Sequence, residues 1–274
     1  MASSSIRLRT IGSLPEGVGE DIIQILDGCY QTIGYPEPWV EVRVIDTLAN
    51  LKRLWDADKQ RAGVTNSAEE GFLSFYDAWE DFPRITLCWQ KLAPLNQLLR
   101  EGVLRHEAAH SRLHNRREYY RFSLPAEIAT AAGQRGFTRD ILSVMLYLVS
   151  IAVKDMEATA LLVHHGFLNC QEALALYQLQ VEEEEIAWKL IREQPAGRML
   201  YFAAQLKPIL FALPLINRLP SPDRLRNQLQ ALTNHLPSAY RHKLFELAQK
   251  IESQLHQPTH QKVDRTLHLL LSTF

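Results

Sequence analysis

Leu98-Leu99-Arg100-Glu101-Gly102-Val103-Leu104-Arg105-His106-Glu107-Ala108-Ala109-His110 places two histidines four residues apart, with a glutamate directly after the first, inside a helical pattern running from Leu95 to Leu113. On a helix, residues i and i+4 share a face, so His106 and His110 can both reach a single Zn²⁺ at about 2.0–2.1 Å. Glu107 is offset by about 100° around the same helix and reaches a water held by the metal rather than the metal itself. It is the candidate general base. The plain alternative is an amphipathic helix whose two histidines are surface or satisfied core residues.

Working outward from this helix, the first ninety or so residues mix two periodicities. SIRLRTI (5–11) reads as a strand, 19–33 as an amphipathic helix, and the alternating WVEVRVID (39–46), behind a turn at Pro36 and Pro38, as a second strand. A helix over 47–59 follows, then two more strand candidates, GFLSFYDA (71–78) and RITLCWQ (84–90), separated by the turn-like WEDFP (79–83). From Pro94 onward the pattern is helical: 95–113, 125–132, 139–165, 171–193 and further segments to the C-terminus, with no fixed-period repeat. Ser221-Pro222-Asp223 reads as a helix start, a capping serine before a proline in the first turn. The expected fold class is α+β: a small twisted β-sheet with the active-site helices, then a mainly helical C-terminal region of two or three hairpins. The expected division is 1–168 and 169–274.

A zinc hydrolase needs a third protein ligand and keeps a fourth position for water. The metzincin arrangement puts a histidine six residues after the second one, beyond a glycine turn. That position is Arg116 here and the intervening residue is Leu113, so this arrangement is excluded. A straight helix carries His114 roughly 12 Å from His106, too far for a common ion, which leaves it an outer-sphere or surface role. A downstream helix should supply an acid, and Lys154-Asp155-Met156-Glu157 is where to look. Leu148, Ile151, Ala152, Asp155, Ala158 and Leu162 form one stripe at helical spacing, with Asp155 its single charge. An ionised carboxylate on an apolar face is costly unless paired or metal-bound, so Asp155 is the favoured third ligand. Glu157 is the alternative; it shares a face with Lys154 and His164 and can instead be solvated.

The two segments together resemble the HExxH peptidases, the zincins, whose third ligand opens an E-x-x-A-[DN] motif, as in ImmA/IrrE-type and HtpX-type gluzincins. Asp155-Met156-Glu157-Ala158-Thr159 falls on that pattern, with aspartate in place of the glutamate ligand and Thr159 in place of the acidic or amide residue. The likeness covers about residues 84 to 163. It implies a zincin-like catalytic domain over 1–168 and a zinc metallopeptidase that hydrolyses peptide bonds by Glu107-assisted attack of a zinc-bound water. It also implies that Ile85–Gln90 is an edge strand that pairs with an extended substrate; the alternative is an interior strand. Tyr119, Tyr120, Tyr147, His164 and His165 are chemically suited to stabilise an oxyanion, and the sequence does not choose among them. Arg116 and Arg117 read as surface charges.

Lysine plus arginine number 30 and aspartate plus glutamate 31, so no global field attracts nucleic acid, and no nucleic-acid partner is expected. The three arginines of Arg218–Arg226 read as a solvated helix start, and the block Glu182–Glu185 as largely solvated. The apolar runs Ile141–Val153 and Met199–Ile216 fall short of the roughly 20 residues of a spanning helix and read as core helices, so no membrane insertion is expected. Three cysteines without CxxC spacing and no secretory signal suggest a reducing, cytoplasmic setting. The expected partner is a peptide or protein substrate, with a protein partner at the helical C-terminal region as a further possibility. The competing reading is a zincin-fold binding or regulatory protein whose metal site is weak or silent.

Overall fold

The computed structural model describes residues 5–36, 39–63, 73–80, 82–180 and 184–274. Pro38, Gly71, Phe72, Asp81, Glu182 and Glu183, on which parts of the expectations above fall, lie outside the described residues. The fold is α+β. Strand β1 (Ile6–Ile11), helix α1 (Val18–Ile33), β2 (Val40–Ile45), α2 (Leu48–Ala62), β3 (Ser74–Asp77), β4 (Arg84–Cys88), the short α3 (Trp89–Leu92) and α4 (Gln97–Leu113) follow in order. A 3-10 turn (Arg117–Tyr120) leads to the helices α5 (Ala126–Gln134), α6 (Arg139–His164), α7 (Leu168–Gln178), α8 (Glu184–Ile191), α9 (Pro195–Ile216), α10 (Asp223–Thr233), α11 (Ser238–Glu252) and α12 (Thr259–Thr273).

The chain forms two compact units, one of residues 1–121 with 164–171 and one of residues 122–163 with 172–274. Nearly all of α6, with Asp155, belongs to the helical unit.

In the first unit the sheet runs in the order β1-β2-β4-β3. β1, β2 and β4 are parallel, and β3 pairs antiparallel with β4. Parallel neighbours require a crossover, which α1 provides between β1 and β2. The register Val42↔Ile85 and Val44↔Leu87, continued by Ser74↔Leu87 and Tyr76↔Ile85, sets these side chains on one face. Val40, Val42, Val44, Ile85 and Leu87 are fully buried there. Each contributes about 1.5–3 kcal/mol by leaving water. Helix α4 packs on β3 and β4 and also against α1.

The opposite face is polar, its counter-charges coming from the strands themselves (Glu41, Asp77) and from Asp58 of α2. Arg43 donates to Asp58 and to Glu41, both at 2.6 Å, and Arg84 holds Asp77 at 2.9 and 3.0 Å. Phe75, the outward neighbour of Ser74 and Tyr76, meets Trp55 of α2 edge-on at 3.8 Å. Thr47 caps α2, its hydroxyl accepting from the Asn50 amide.

In the second unit α9 is the hub, packed by α8, α10, α11 and α12. It begins at Pro195 and runs unbroken through Pro208 and Pro214. At 22 residues it is long and apolar enough to cross a bilayer, beyond the span read from the sequence, yet 72% of its apolar window is buried. It is a core helix. The single helix expected over 171–193 is two, α7 and α8, and Glu184 and Glu185 open α8, where helix polarity favours acids. Helix α10 starts one residue later than the sequence indicated, at Asp223, and carries no side-chain cap.

Candidate metal centre

Helix α4 is fixed before its chemistry begins. Asn96 caps it by accepting from the Leu99 amide at 2.9 Å. From Gly102 to Ser111 nearly every residue is buried, because α1 covers one side and the sheet another. The Tyr30 and Ser111 hydroxyls meet at 2.6 Å between α1 and α4, and the Ser111 hydroxyl donates to the Ala108 carbonyl. Burial pushes the Tyr30 phenol far above its ordinary range, so it stays neutral and acts only as a hydrogen-bonding anchor. Gln171 donates to the Gly102 carbonyl at 3.0 Å, and Arg105, paired with Glu101, also reaches the Cys170 sulfur.

One turn apart on this buried helix, His106 Nε2 and His110 Nε2 stand 3.1 Å from each other, their rings perpendicular. Two imidazole nitrogens at that distance share either one proton or one cation. Two nitrogens on a tetrahedral zinc at about 2.0–2.1 Å stand about 3.3 Å apart, so the spacing suits a shared ion. Glu107 is buried beside them, and the Ser74 hydroxyl of β3 donates to its Oε1 at 2.6 Å.

His114 is fully buried rather than on the surface. Its Nδ1 lies 3.1 Å from Nδ1 of His110, so it contacts the second histidine and not a common ion. The Tyr76 ring lies parallel to His110, 7° from coplanar at 6.0 Å between centroids, and its hydroxyl donates to the His114 carbonyl at 3.2 Å. Tyr119 and Tyr120, two of the oxyanion candidates, join this group: Tyr119 meets His114 edge-on at 5.4 Å and Tyr120 approaches Tyr76 at 6.2 Å. Of the other candidates, His164 and His165 meet edge-on at 5.1 Å between centroids, and Tyr147 lies 40% exposed on α6 of the helical unit.

Two expectations need correction. Ile85–Gln90 is not an edge strand: β4 lies between β2 and β3, and residues 89–90 begin α3. Among the described residues β3 is the edge beside α4, and Ser74 and Tyr76 are the residues on the α4 side that the sequence reading missed. The signal was present in period-two alternation, since Ser74 and Tyr76 share the face opposite Phe75 and Asp77. Glu157 is not solvated. In the helical unit both of its oxygens accept from the Thr259 hydroxyl at 3.0 Å, and it forms an ion pair with Lys262 of α12. The apolar stripe does not separate the two acids, because Asp155 and Glu157 are both buried. Their partners do: Asp155 has Lys207 at 3.5 Å, at the edge of ion-pair range.

No family model, curated protein or solved structure matches this chain.

Proposed function

We propose that the protein is a zinc-dependent metallopeptidase of the zincin class, with zinc held by His106, His110 and Asp155 and with Glu107 as general base. The observation that carries the reading is the 3.1 Å convergence of the two Nε2 atoms on a buried helix. Each of the three proposed ligands is buried and offers one ligand atom, and two imidazoles with one carboxylate suit zinc in a catalytic site. Asp155 is preferred to Glu157 because Lys262 and Thr259 already engage the Glu157 carboxylate.

Zinc, when bound, supplies Lewis acidity toward water and the scissile carbonyl. Glu107 accepts the proton from the attacking water and returns it to the leaving amine, and the Ser74 hydroxyl keeps its carboxylate in one orientation. The substrate is a peptide or protein segment, and a cytoplasmic setting accords with three cysteines that are all free and buried. One feature favours the second reading, a zincin-like binding protein with a silent site and a partner on its helical region: Lys207 offers Asp155 a partner other than a metal.

Glu107→Gln separates the two readings. The amide is nearly isosteric but cannot take a proton, so zinc content and the unfolding midpoint should match the native protein while hydrolysis of a peptide mixture is lost. Native-like turnover in this variant removes Glu107 from its role, and a zinc-loaded native protein inert toward every peptide favours the silent reading.

A further inference from the structure

His114 takes no part in the steps above, yet it is the most tightly boxed imidazole of the group. Its ring is fully buried, its amide donates to the His110 carbonyl at 2.7 Å, and its carbonyl accepts from the Tyr76 hydroxyl. Tyr119 closes against it edge-on. Its Nδ1 is thereby aimed at Nδ1 of His110, 3.1 Å away.

We propose that His114 is a positioning residue that sets the tautomer and ring orientation of His110; this rests on the reading of His110 as a metal ligand through Nε2. If the Nε2 lone pair of His110 is to face a metal, its proton must sit on Nδ1. That N–H then requires an acceptor; Nδ1 of His114, at 3.1 Å, is placed to accept it, and its own proton then sits on Nε2. Hydrogen-bonding the far nitrogen of a ligating histidine fixes its plane and raises the basicity of the nitrogen facing the metal. A carboxylate or backbone carbonyl commonly fills this role; here a third histidine, one turn further along the same helix, fills it. Tyr76 completes the arrangement: it lies parallel to the His110 ring and its hydroxyl anchors the backbone of the residue that accepts from it.

The test is zinc affinity by chelator competition for the native protein, His114→Phe and His114→Gln. Phenylalanine fills the space without an acceptor and should weaken zinc binding by about 10–100-fold, whereas glutamine, whose side-chain oxygen accepts, should recover most of that loss. A native protein that retains no zinc overturns the metal reading itself. A native protein that binds zinc, with folded His114→Phe binding it equally well, overturns this inference and leaves the metal reading standing. Should His114→Phe not fold, the ring-nitrogen NMR spectrum of the zinc-loaded native protein decides: the expected pattern has His110 protonated at Nδ1 and His114 at Nε2, and a His114 protonated at Nδ1 contradicts it.

Discussion

The two faces of one small sheet each carry a buried polar cluster, and the clusters differ in their partners. On the α2 face, Arg43 and Arg84 are matched by Asp58, Asp77 and Glu41, guanidinium against carboxylate. On the α4 face, Glu107 takes a hydroxyl and the imidazoles of His106, His110 and His114 take one another. Burial therefore does not mark function here, because both clusters are buried. The proposed function rests instead on the chemistry of the groups gathered on each face. A network closed by its own opposite charges holds secondary structure together, whereas lone-pair donors gathered on one helix are suited to receive a cation.

That contrast makes its largest prediction for stability. Arg84→Ala strips Asp77 and Asp58 of a buried partner and should cost about 3–5 kcal/mol in urea unfolding, with zinc content per folded chain unchanged. Loss of zinc from the folded variant would show that the two faces are coupled rather than separate.

The acids of α6 extend the same comparison within the helical unit. Glu157→Ala leaves Lys262, itself buried, without its carboxylate and should lower unfolding stability by about 3–5 kcal/mol while sparing zinc affinity. Asp155→Ala should do the reverse, weakening zinc binding by at least about 10–100-fold with a smaller loss of stability. If the two phenotypes exchange, Glu157 is the ligand and Asp155 the structural acid.

The smallest effect concerns a buried group with no assigned chemistry. Burial pushes the Cys29 thiol up from 9.0 to about 12, so the native protein holds it protonated at a pH where an unfolded chain already carries thiolate. At about pH 9 a thiol reagent should leave Cys29 unmodified in the folded protein and label it after denaturation, as read by peptide mapping. Labelling in the native state would mean that α1 opens locally.

The HExxH helix was legible because its information is local: His106, Glu107 and His110 lie within one and a half turns, and helical spacing alone says what they share. The strand beside it was harder to place. RITLC is the stronger strand by composition, and β propensity does not tell an interior strand from an edge. The shorter, more polar Ser74–Asp77 is the segment suited to an edge, and its alternation assigns Ser74 and Tyr76 to the α4 side. Glu157 was misread for a different reason. A helical wheel of α6 holds only the residues of α6, and the lysine and threonine that occupy Glu157 come from α12, far along the chain. The contact of His114 with His110 was obscured because a helix rise measures its distance to His106 and says nothing of a contact one turn away.

Metal analysis of the full chain, purified without added metal, tests the central claim most directly. The native protein should carry about one zinc per chain, and the variant with both His106 and His110 replaced by alanine should carry none. Equal metal content in the two proteins, or a native protein free of zinc that takes up none when supplied, would contradict the account.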